Sequence, residues 1–127
     1  MPTSFTRRSA VAALALTALV GQALAHHGWA WTDGERYELT GTITEIYLGQ
    51  PHATLKVEAE DGIWDVDLAP LSRTLAAGFD ENAAKVGDEV TAIGNRAADP
   101  ADLHMKAARL IVNGKTYDVY PGRLGDS

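Results

Sequence analysis

The run from His52 to Ala69 leaves this chain few folds to choose from. Ala53, Leu55, Val57 and Ala59 alternate with His52, Thr54, Lys56 and Glu58. Asp61-Gly62 follows, and then Trp64, Val66 and Leu68 alternate with Asp65 and Asp67. Side chains on a strand point to opposite faces in turn, so period-two apolarity marks a strand with one buried face. An Asp-Gly pair between two such strands is a hairpin turn signal. The segment therefore predicts two antiparallel strands, 52–60 and 63–69, whose shared apolar face needs a second layer to cover it.

The flanking segments supply that layer. Tyr37 to Leu48 is rich in Thr, Ile and Tyr and predicts a strand before the hairpin. Leu39, Gly41 and Ile43 share one face, whereas Ile46 and Leu48 fall on the other parity, which predicts a bulge near Gly41. Gly49-Gln50-Pro51 reads as a turn. Pro70 closes the third strand. Leu71, Leu75 and Phe79 stand four apart, the stripe of a short helix with one buried face, and Gly78 suits its end. Strands follow at 89–94 and 104–112. Asn113-Gly114 predicts a tight turn into a short sixth strand at 115–120. Three strands, a helix and then two or three strands is the order of a small all-β barrel of OB type, with a β-sandwich as the alternative. In such a barrel the fifth strand is expected beside the first, which would draw His52 and His104 toward one end.

The first 25 residues predict a cleaved signal helix. Arg7 and Arg8 precede an apolar run from Ala10 to Val20, and Ala23-Leu24-Ala25 offers small residues at the cleavage positions. The run is shorter than the roughly 20 residues a membrane span needs, although an uncleaved anchor is the other reading. The expected organisation is a signal peptide at 1–25, an arm at 26–36, a barrel at 37–120 and a tail at 121–127. The expected location is the periplasm, with the adjacent arginines leaving a twin-arginine route open.

Residues 1–25 hold two arginines and no acid, so residues 26–127 carry 9 basic and 17 acidic side chains, a balance of −8. That balance gives no electrostatic basis for binding nucleic acid or an anionic membrane and favours cations instead. The chain has no cysteine, which excludes thiolate metal sites, disulfides and cysteine nucleophiles. Ser72 and Ser127 have no convergent dyad, so the chain reads as a binder rather than an enzyme.

Ala25-His26-His27-Gly28-Trp29, Leu39-Thr40-Gly41-Thr42-Ile43-Thr44-Glu45 and Pro51-His52 together resemble a family of small secreted proteobacterial proteins without an assigned function. Trp64, Leu71 to Leu75 and Val86-Gly87-Asp88-Glu89-Val90-Thr91 extend the resemblance over most of the chain. Gln50 stands where that pattern has Asn. The resemblance implies an exported domain and supplies no reaction.

All four histidines follow the leader: His26, His27, His52 and His104. Cleavage after Ala25 would leave a free α-amino group on His26. That group and the His26 ring would chelate Cu(II) as in a histidine brace. Alternatively, the His27 ring would bind together with the amine and the intervening amide. Both supply the nitrogen ligands and tetragonal geometry copper favours, with zinc also open. His52 and His104, at strand starts, are the candidate completing ligands. Met105 neighbours His104 but points to the opposite face, and is expected in the core. Against this stand plainer roles: a frayed polar start for His26 and His27, a turn residue for His52, a solvated strand end for His104. Asp65 and Asp67 share a face as a possible acid/base pair or as an ordinary polar face. The expected function is periplasmic copper binding, delivery or buffering. The alternative is a metal-free OB-type module for a periplasmic protein partner or small ligand, with Thr54, Lys56, Glu58, Asp65 and Asp67 on its outward face. A brace-type oxidative enzyme is the third reading.

Overall fold

The computed structural model describes residues 28–124. The expected signal peptide and His26 and His27 lie outside the described residues. The chain divides into a first unit ending at Trp31 and a second from Thr32. Within the first, the Trp31 indole N–H donates to Gly28 O at 3.1 Å. Among the described residues no helix is long and apolar enough to cross a membrane.

The second unit is built on six strands: β1 (Tyr37–Tyr47), β2 (Thr54–Ala59), β3 (Gly62–Asp67), β4 (Glu89–Arg96), β5 (His104–Val112) and β6 (Lys115–Asp118). A single helix, α1 (Leu71–Ala76), lies between β3 and β4. The sheet order is β3-β2-β1-β4-β5-β6, and a parallel pairing of β3 with β5 closes the first five into a barrel. This is the expected OB-like barrel with one short helix. One pairing differs from the sequence expectation. β1 lies between β2 and β4, and β5 closes the barrel against β3 instead of against β1.

Alternation built the hairpin as expected. Leu55 and Val57 of β2 and Trp64 and Val66 of β3 are buried, and their outward neighbours are not. Burying side chains of this size stabilises by about 1.5–3 kcal/mol each, which makes this face the anchor of the core. The parity switch in β1 is real but sits beyond Gly41. The register with β2 shifts between Ile43 and Glu45, leaving Thr44 unpaired, and Ile46 turns toward the core. Gly41 has a different role. A Cβ there would run into the carbonyl oxygen of Glu58 and lie 2.8 Å from Val57 Cγ1, so β1 crosses β2 where only glycine fits.

A second bulge falls in β5. Ile93 pairs with Arg109 and Gly94 with Ala107, so Ala108 is inserted and both alanines are buried. Ala108 O then accepts from Val119 N at 2.9 Å and Tyr120 N at 3.1 Å. β5 therefore serves β3 at its start and β6 at its end.

The helix departs from its expected stripe. It ends at Ala76, too soon to carry Phe79, and Leu75 is 43% exposed. The buried helical residue is Thr74, whose hydroxyl donates to Ala69 O at 2.9 Å. Phe79 still reaches the core, edge-on to Tyr117 with ring centroids 5.3 Å apart. Four-residue spacing overstated the helix because half of the pattern belongs to the turn that follows it.

Candidate metal-ligand site at the barrel seam

The β3–β5 seam is where outward side chains from distant parts of the sequence meet. Its register pairs Asp65 with His104, Val66 with Met105 and Asp67 with Lys106. Val66 and Met105 face inward, so Met105 is core. His104, Lys106, Asp65 and Asp67 therefore share the outer surface.

His104 is held on all sides. Its carbonyl accepts from Ala97 N at 2.8 Å, and its N–H donates to Asp102 O at 2.9 Å. Its ring Nε2 lies 3.0 Å from Asp67 Oδ2, and its Nδ1 lies 4.0 Å from Asp102 Oδ2. Burial disfavours the imidazolium. The bond to Asp67 and the charges of Asp67, Asp102 and Asp65 outweigh burial, and the pKa stands above the ordinary histidine value of 6.5. A raised folded-state pKa means the stabilisation is fully present below about pH 6.5 and is lost as pH rises through the folded value. Asp67→Asn should therefore destabilise the barrel by about 1–2 kcal/mol near pH 5, with a smaller loss at alkaline pH. Urea melts of both proteins at the two pH values measure this; an equal difference at both would rule out the ion pair as its source.

The pair also has a ligand geometry. A carboxylate that accepts a hydrogen bond from Nε2–H favours the neutral tautomer whose lone pair is on Nδ1, the arrangement that orients metal-binding histidines. Asp102, on the loop before β5, is the carboxylate nearest that nitrogen.

His52 is not part of this cluster. It precedes β2, its Nδ1 lies 3.2 Å from Ala53 O, and the preceding Gln50–Pro51 peptide is cis. Ala53 N bonds Ala69 O, whereas His104 stands beside Asp65. That register separates the two histidines by about 13 Å along the strands and by about 10 Å, two strand spacings, across them. Asp65 is committed to Lys56 Nζ at 2.7 Å, which accounts for it as part of a polar face. Among the described residues no group of three or more His, Asp or Glu side chains is arranged to hold a metal ion.

A match to the family of unknown function DUF6152 covers residues 13–104. The chain belongs to that family. The family match spans the hairpin and ends on His104, the histidine of the seam. No curated protein matches the sequence. Among solved structures, the chain is similar to one in the S. pombe Stn1–Ten1 complex at 12% identity, over 63% of this chain and 59% of that one, with a TM-score of 0.50. It is also similar to the ZRD-deleted mutant of TiaS in complex with agmatine at 17% identity, over 67% of this chain and 26% of that one, with a TM-score of 0.50. A tRNA fluorescent labeling enzyme matches at 16% identity over 61% of this chain and 18% of that one, with a TM-score of 0.47. The likeness takes in less than two thirds of each of those chains. At these identities it concerns the fold alone.

Sequence reasoning selected His104, and Asp67 only as the neighbour of Asp65, and did not bring the two together. Asp102 carried no local signal, and Asp67 is 37 residues away from the histidine it bonds.

Proposed function

We propose that this chain is an exported copper-binding protein that serves in copper binding, delivery or buffering. Signal cleavage after Ala25 exposes the His26 amine and the His26-His27 pair. His104 is the domain ligand, Asp67 orients it, and His52 is left as a turn residue.

The observation that carries this reading is the His104–Asp67 bond at 3.0 Å, with the second ring nitrogen turned toward Asp102. Chain length supports it. Six residues lead from His26 to Thr32, a span of up to about 20 Å. Thr32 pairs with Ala97, which bonds His104. Two strand spacings, about 10 Å, thus separate Thr32 from His104, within the arm's reach.

Calorimetric titration of Cu(II) into the processed 26–127 chain tests the proposal, with Zn(II) as the competing ion. One extra N-terminal glycine should weaken binding by more than about 100-fold, because changes even outside the ligand set cost 10–100-fold. His104→Ala should weaken it too, and acidification should release the metal as the imidazoles protonate. Equal tight binding with and without the added glycine would sink the terminal site.

A metal-free binding module is the second reading. It is favoured by the outward β2–β3 face, which OB-type barrels use for ligands. Glu58, Asp65 and Asp67 on that face disfavour a nucleic acid and suit a protein or small ligand. Under this reading a variant with His26, His27, His52 and His104 all replaced by alanine keeps its partner in a periplasmic pull-down.

A further inference from the structure

β1 has a neighbour on each side, but not along its whole length. Its register with β4 runs from Tyr37 to Thr42, and its register with β2 begins only at Thr42, opposite Glu58. Tyr37 to Gly41 are therefore paired on one side alone. Ile43 N donates to Asp88 O at 2.9 Å and Ile43 O accepts from Gly87 N at 2.8 Å, so Ile43 turns its backbone groups toward the β4 side. Successive residues of an antiparallel strand turn their N–H and C=O groups to opposite sides. Leu39 and Gly41 share the direction of Ile43. Glu38 and Thr40 present theirs to the other side, where no strand of the described residues pairs with them.

That open edge lies in a cleft. A space of about 510 Å³ is lined by Tyr37, Leu39 and Thr40 of β1 and by Ala59, Glu60 and Asp61 at the β2–β3 turn. Its size is that of a ligand-binding cleft, about 300–1,000 Å³. Two contacts hold its walls. The close approach of Gly41 to the Glu58 carbonyl fixes β1 against β2, and the Trp64 indole N–H donates to Asp61 Oδ1 at 2.8 Å, which ties down the turn. The two parities of the lining differ in chemistry. Tyr37, Leu39 and Ala59 belong to the apolar, inward set, packed in or against the core. Glu38, Thr40 and Glu60 have the outward parity and are exposed.

We infer that this cleft receives an extended peptide segment of a partner protein, added as a strand beside Glu38–Thr40, in which apolar side chains alternate with lysine or arginine. An unpaired strand edge is a template for main-chain hydrogen bonds, and the alternate side chains of the added strand supply specificity. The apolar side chains of the segment meet Tyr37, Leu39 and Ala59, and its cations meet the carboxylates of Glu38, Glu60 and Asp61. Charge complementarity selects a basic segment over an acidic one, on a chain whose net charge is −6. The stretch from Glu38 to Thr40 spans about 10 Å, so the paired segment is short. The cleft is separate from the outward β2–β3 face and uses none of His26, His27, His104 or a metal, so it stands or falls apart from both readings of function above.

The probe is the synthetic peptide acetyl-Val-Lys-Val-Lys-Val-amide, titrated into the 26–127 chain and followed by amide NMR. Saturable shifts at Glu38, Thr40, Glu60 and Asp61 are expected, with slowed hydrogen exchange of the Glu38 and Thr40 amides as they gain partners. The counterpart with glutamate in place of lysine should not bind. Glu60→Gln, at an exposed position, should weaken binding about threefold, the scale of one exposed cross-strand charge pair. Two further lysine peptides carry N-methyl groups, one on its valine nitrogens and the other on its lysine nitrogens. One should bind at least about tenfold more weakly than the other, because only one set of N–H groups faces β1. The inference is overturned by a lysine peptide that gives no saturable shifts, by equal binding of the lysine and glutamate peptides, by equal binding of the two methylated peptides, or by shifts centred on Asp65 and Asp67 instead of the cleft.

Discussion

Trp64→Ala is expected to lower the unfolding free energy by about 4 kcal/mol, the scale for truncating a buried aromatic side chain. Trp64 has no exposed surface. Its ring stacks on Tyr37 with centroids 5.3 Å apart and an interplanar angle of 22°. Its indole N–H donates to Asp61 Oδ1 at 2.8 Å, at the β2–β3 turn. The Arg96 guanidinium lies 4.7 Å from the Trp64 ring and 5.1 Å from that of Tyr37. Arg96 Nε is buried with no hydrogen-bond partner among the described residues, so the two rings are what that nitrogen's side of the cation rests on. Alanine removes the ring volume, the turn contact and half of that support together. Trp64→Phe keeps a ring in place and loses the indole bond, so it should cost about 1–2 kcal/mol. Urea melts give both values, and an alanine loss no larger than the phenylalanine loss would show that the stack contributes little.

Gly94→Ala should cost about 3 kcal/mol, at the upper end for overpacking. A Cβ at Gly94 would run into the carbonyl oxygen of Lys106 and lie 2.9 Å from Ala107 Cα. Both obstacles are backbone of β5, so no rotamer change relieves them. Gly94 is also where the β4–β5 register shifts, and moving β5 there would disturb its seam with β3 and the position of Lys106. Gly122→Ala is the control, since nothing lies within 4 Å of its added Cβ. It should change stability by less than about 0.5 kcal/mol. Similar losses for the two glycines would remove close strand approach as the reason for Gly94.

The fold was legible wherever apolarity ran with a fixed period. The β2–β3 hairpin, the start and end of β5, and the turn at Asn113 and Gly114, with φ of 53° and 75°, follow from local pattern and turn chemistry. Irregular positions were read less well. The parity change points to a bulge at Gly41 because glycine tolerates bulges, but the register shifts between Ile43 and Glu45, and Gly41 is set by its close approach to β2. Four-residue spacing puts Leu75 and Phe79 on one helical face, yet the helix stops between them. Spacing alone does not tell a continuing helix from a turn that delivers one more core residue.

The candidate site divides in the same way. Read strand by strand, the sequence settles which residues face outward, because alternation fixes side-chain parity: His52, Asp65, Asp67, His104 and Lys106 lie on the outer side of the barrel. It also determined the absence of thiol chemistry and the acidic balance. Which outward residues meet depends on how the barrel closes. Parity is the same for any register shifted by two residues, so it carries no information about the partner across a parallel seam. Closing the barrel through β3 and β5 set Asp67 beside both His104 and Lys106 and carried His52 away from them. The same closure, with the β5 bulge that anchors Tyr120, set Lys106 against the Tyr120 ring, where Arg73 also lies.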